Sequence, residues 1–125
     1  MTVTSVLLAL LALQAKHYLC DFVLQNQWQI EAKKSYLKAG GLVHAGLHAV
    51  LSIPALLILS AQPVLLAAIP AGEFVLHYHL DWAKARIDSA GGWTQRDKAY
   101  WAVFGLDQLF HQLTYMAIVV IAAGL

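Results

Sequence analysis

Cys20 is the chain's one cysteine in 125 residues, so neither a disulfide framework nor a CxxC metal or redox motif can form. Charge is also scarce. Asp, Glu, Lys and Arg make up 12% of the residues, where water-soluble domains average roughly a quarter. Eight Lys and Arg with a formal net charge of +1 are too few to build a phosphate-binding face, which excludes nucleic acid as a partner. No sequence repeat or low-complexity segment interrupts the chain, and its length is that of one domain.

What fills the space is apolar. Apolar residue types account for 60% of the sequence and the mean hydropathy is +0.62, so an integral membrane protein is expected. Val3 to Leu13 has the length of a signal-peptide core, but no Lys or Arg precedes it and Ala12 to Ala15 is a poor cleavage site. Apolar character resumes after Lys16, so Val3 to Leu24 is expected to be a retained span.

Spanning a bilayer takes roughly 20 mostly apolar helical residues. Four segments qualify: about 3–25, 42–61, 64–86 and 95–123. Pro54 is expected to kink the second, Pro63 to open the third and Pro70 to bend it, and Thr94 to cap the fourth. The expected fold is all-α, an up-down four-helix transmembrane bundle. Lys33, Lys34 and Lys38 cluster in the first connection, and Arg86, Arg96 and Lys98 lie in or beside the third. The positive-inside rule therefore puts both termini outside the cytoplasm. Between Glu31 and Lys38 either a short surface helix, anchored by Trp28 and Tyr36, or a solvated loop is expected.

The chemistry gathers on helix faces. From Gly72 to Asp88, Glu73, His77, Asp81, Lys84 and Asp88 recur at three- and four-residue intervals, one stripe of an α-helix. Each segment carries one i, i+4 pair: His17 and Asp21, His44 and His48, His77 and Asp81, Asp107 and His111. In an up-down bundle all four converge at one depth, in the inner leaflet. Imidazole and carboxylate donors without thiolate suit zinc, iron or manganese, and eight ligands suffice for one or two ions. Gln25 and Gln108 are placed to hydrogen-bond the ligands. Glu73, one turn deeper than His77, is the expected general base. Lys84 is expected to bind an anionic headgroup or to pair with Asp88. The competing expectation is that His and Asp staple the helices without any metal.

These residues carry a resemblance. HYLCDFVLQ from His17, HAGLH from His44, HYHLDWAK from His77 and DQLFH from Asp107 together resemble a bacterial membrane protein family catalogued as domain of unknown function 3307. The resemblance covers nearly the whole chain and implies a small multi-pass membrane protein of the bacterial inner membrane; it supplies no activity. The residues themselves lead to a metal-dependent hydrolase of a lipid or lipid-linked substrate, with a di-iron oxidative enzyme as a variant. The alternatives are a haem- or metal-binding carrier, an ion conduit, and an accessory protein. A homo-oligomer stays open.

Overall fold

Each helix has a local reason to start and stop. In the computed structural model, which describes residues 2–125, Thr2 and Ser5 form a reciprocal capping box that opens α1 (Val3–Tyr18). The chain then widens into a π-helical stretch, Leu19–Leu24. Asn26 caps α2 (Gln27–Ala32) by accepting the Gln29 N–H at 3.0 Å. Next come α3 (Ala39–Leu51), α4 (Ile53–Ile58), α5 (Pro63–Gly91) and α6 (Lys98–Ala123). No strand occurs among the described residues. The protein is all-α.

Several expected boundaries shift, each for a physical reason. The second segment starts at Ala39, because Gly40 and Gly41 lie inside the helix rather than before it. It then breaks at Ser52, where Pro54 has no N–H to give the Val50 carbonyl. A short helix forms in this connection over Gln27–Ala32, and residues 33–38 run as turns, so the loop alternative holds for most of Glu31 to Lys38. Thr94 does not cap α6; Asp97 precedes that helix, and its carboxylate accepts the Thr94 N–H at 2.7 Å and hydroxyl at 2.9 Å. α5 runs 29 residues, about 44 Å at the α-helical rise, so it outreaches a hydrocarbon core of roughly 30 Å. It ends at Gly92, whose φ of 62° is cheap only for glycine.

Three segments are long and apolar enough to cross a membrane: Val3–Leu24, Ala39–Ile58 and Lys98–Ala123. α5, expected as a fourth, is not among them, because Glu73, His77 and His79 lower the hydropathy of its most apolar stretch. α5 packs against α3 and α6, while α1 packs against α4 and α6. Polarity is inverted relative to a water-soluble protein. Leu7, Leu11, Val50, Leu57, Leu113 and Met116 are exposed, whereas Lys16, Glu73, Asp81 and the five paired histidines are buried. Next to this polar centre lies an apolar cluster that includes Leu13, Leu56, Ile69 and Ile118.

Gly40 sets how closely α2 approaches α3. A Cβ there would stand 2.7 Å from the Ala32 Cβ and 2.8 Å from the Trp28 carbonyl oxygen. Gly40→Ala is therefore expected to lower stability by about 1–3 kcal/mol through overpacking. Thermal unfolding of the detergent-purified variant measures it, and an unchanged midpoint would refute the close contact.

Candidate metal centre

Five helical stretches bring their polar groups to one place. Asp21 comes from the π-helical stretch, whose i→i+5 bonding re-aims it relative to α1. Its Oδ1 lies 3.0 Å from Nε2 of both His44 and His48. Asp81 on α5 is a second hub. Its Oδ2 lies 3.3 Å from Nε2 of His44 and of His77, and its Oδ1 lies 3.4 Å from His111 Nε2. Asp107 Oδ1 is also 3.4 Å from His111 Nε2. The His48 and His77 rings stack at 3.8 Å, and His77 lies 4.4 Å from the His111 ring.

Two groups are close enough to hold a metal ion: Asp21, His44, His48 and His77, and His77, Asp81 and His111. Within each group the ligand atoms lie within 4.8 Å of one another. Metal–nitrogen bonds of about 2.0–2.1 Å imply ligand–ligand edges of roughly 2.9–3.4 Å in octahedral or tetrahedral geometry. The imidazole–carboxylate distances fall in that range. Ordinary hydrogen bonds reach the lower end of it, so orientation decides between them. Only His48 meets its carboxylate with hydrogen-bond geometry. Nε2 of His44, His77 and His111, all buried, has no hydrogen-bond partner among the described residues, and neither has Asp107 Oδ1. A buried unsatisfied polar atom costs about 1–3 kcal/mol. Three imidazoles held in this way fit a cation that takes their lone pairs.

The eight expected ligands do not all share this role. His17 has both ring nitrogens engaged, Nδ1 with the Tyr115 hydroxyl at 2.9 Å and Nε2 with Gln108 Oε1 at 2.8 Å. Its contact with Asp21, 3.2 Å, keeps it beside the cluster and outside both ligating groups. Gln108 also donates to Asp107 Oδ2 at 3.1 Å, while Gln25, expected to hydrogen-bond a ligand, donates to the backbone carbonyl of Asp21 at 3.1 Å. Lys84 pairs with Asp88 at 3.1 Å. His79 lies off the cluster, bonded to the Val75 carbonyl and Tyr36.

Glu73 has a different neighbourhood from the one expected of a general base. One carboxylate oxygen pairs with the Lys16 ammonium and the other accepts the Ser52 hydroxyl. Both oxygens have partners and the side chain is sealed from solvent. Lys16, which the charge pattern left unremarked, also donates to the His48 carbonyl at 2.9 Å. Two signals for this layer were in the sequence. Ser52 extends the His44 and His48 stripe by four residues, and Tyr115 extends Asp107 and His111 by four.

Beside the carboxylates lies a cavity of about 410 Å³, lined among others by Asp21, Asp81 and Asp107, with Lys33, Lys34 and Lys84. Lys33 reaches it from just beyond α2, at 2.9 Å from Asp81 Oδ2. Neither Glu73 nor Lys16 lines it.

No curated protein and no solved structure matches the chain. The family described as "Protein of unknown function (DUF3307)" does, over residues 6–125. With its four His and Asp pairs all inside that match, the chain belongs to the DUF3307 family over essentially its whole length.

Proposed function

We propose that the chain is a bacterial inner-membrane hydrolase acting on a lipid or lipid-linked substrate at the cytoplasmic leaflet. In this reading α5 completes a four-helix up-down bundle, with both termini outside the cytoplasm. His44, His48, His77 and His111, with Asp21 and Asp81, hold one or two divalent ions of zinc, iron or manganese. The observation that carries the reading is the set of buried, unpartnered imidazole nitrogens at 3.0–3.4 Å from shared carboxylates.

The inverted polarity supports membrane insertion, since an apolar exterior is stable only against lipid or another apolar surface. α5 then keeps Glu73, His77 and Asp81 turned inward, where they face other polar groups. A divalent ion supplies a Lewis acid and makes a bound water more acidic. The chain's part is to orient and to move protons. Asp107 replaces Glu73 as the candidate base, because its Oδ1 is unpartnered and the residue lines the cavity. Hydrolysis then adds hydroxide from water to the acyl or phosphoryl centre, breaks its bond to the ester oxygen, and returns the proton to that oxygen.

The apolar cluster around Leu56 and Ile118 disfavours an ion conduit, since it fills the volume beyond the Lys16–Glu73 pair. Elemental analysis of the detergent-purified protein is the direct test. One or two equivalents of a divalent transition metal are expected, falling to background when His44→Ala is combined with His77→Ala. A metal-free wild type, or unchanged content in the double variant, refutes the reading.

A further inference from the structure

The geometry points to a phosphoryl group as the moiety that the cavity binds, held by Lys33 and Lys84 and admitted only when the metal is present. The inference rests on the metal reading above and adds the class of ligand. Its basis is charge. The cavity wall carries the carboxylates of Asp21, Asp81, Asp88 and Asp107. Against them stand the ammonium groups of Lys33, Lys34 and Lys84, but Lys34 is already paired with Glu31 at 2.8 Å, so these groups together carry two net negative charges. A wall of that sign repels anions. One divalent ion on Asp21 or Asp81 brings the balance to zero, and two ions to two net positive charges. A site with two positive charges takes an anion, and a doubly charged phosphate monoester cancels them.

The lysines are placed for this change. Lys33 is mostly buried, with Asp81 at 2.9 Å and the Gln25 side-chain oxygen as its partners. An ion bound to Asp81 competes for the same carboxylate charge, so the Lys33 ammonium is left with donors to spare beside the cavity. Lys84, also lining the cavity, pairs with Asp88 and lies 5.8 Å over the Phe104 ring, which steadies its stem. The cavity of about 410 Å³ falls in the range that holds small ligands, and Phe22, Ile30 and Phe104 give it an apolar flank. The phosphoryl group can arrive on a lipid headgroup or as a free phosphate; the chemistry of capture is the same.

Equilibrium dialysis of radiolabelled inorganic phosphate against the detergent-purified protein, with and without added Mn²⁺, tests the inference. Saturable retention is expected with Mn²⁺ and none after chelation. Lys33→Gln with Lys84→Gln is expected to weaken retention at least about tenfold while leaving metal content unchanged, and Lys33→Arg with Lys84→Arg to keep most of it. Metal content separates the two readings. Normal metal without phosphate retention, or retention indifferent to the lysines, overturns this inference alone, whereas a protein that takes up no metal overturns both. Nanodiscs with and without phosphatidic acid then assign the source. Competition by the lipid identifies a headgroup and its absence a soluble phosphate, and each supports the site.

Discussion

Asp81→Asn is expected to lower metal affinity by more than about a hundredfold. Loss of a group that merely supports a ligand typically costs 10–100-fold, whereas Asp81 belongs to one ligating group, with His77 and His111, and also contacts His44 of the other. One side chain faces His44, His77 and His111 at 3.3–3.4 Å and Lys33 at 2.9 Å. The amide is nearly isosteric, so packing is retained while the charge is lost. Metal titration monitored by intrinsic fluorescence, with thermal unfolding in parallel, separates two outcomes. Lost metal with a retained fold supports the metal-centre reading. A lowered unfolding midpoint in the variant, with a wild type that binds no metal, would show that the His and Asp cluster only staples the helices.

The second large effect concerns stability. Lys16→Met is expected to destabilise the protein by about 3–5 kcal/mol, because it leaves the Glu73 carboxylate buried without its cation. The pair lies where water is scarce, with the Lys16 side chain 4% exposed and that of Glu73 0% exposed. Replacing both residues, Lys16→Met with Glu73→Leu, is expected to recover most of the loss, since exchanging a buried ion pair for apolar groups is often neutral. Chemical unfolding in detergent gives the cycle. If the double variant is as unstable as Lys16→Met alone, the pair is not the source of the loss. Metal content should stay near wild type in both, because neither residue belongs to a ligating group.

Much of the site was legible from spacing. His44 and His48, or His77 and Asp81, share a helix face at i, i+4 whatever surrounds them, because the α-helical period alone requires it. The same argument was weaker for His17 and Asp21. The helix changes to π-helical bonding at Leu19, and the histidine turns to Tyr115 and Gln108 instead of the ligating groups. No local pattern in LCDFVL announces that change. Glu73 was read correctly as lying on the stripe, but its partners come from α1 and the kink at Ser52, and these occupy both of its oxygens.

The sequence by itself determined the all-α class, the apolar exterior, the family and the helix faces that carry His and Asp. Composition and periodicity act within one helix, and those properties need nothing more. Tertiary structure alone decided that Asp21 and Asp81 are the two hubs, that Lys16 neutralises Glu73, and that Lys33 reaches Asp81 from beside α2. Such pairings depend on how far each helix slides and turns against its neighbours. That offset is set by the π-helical stretch, the break at Ser52 and the contact at Gly40, features whose consequences lie tens of residues away in the chain.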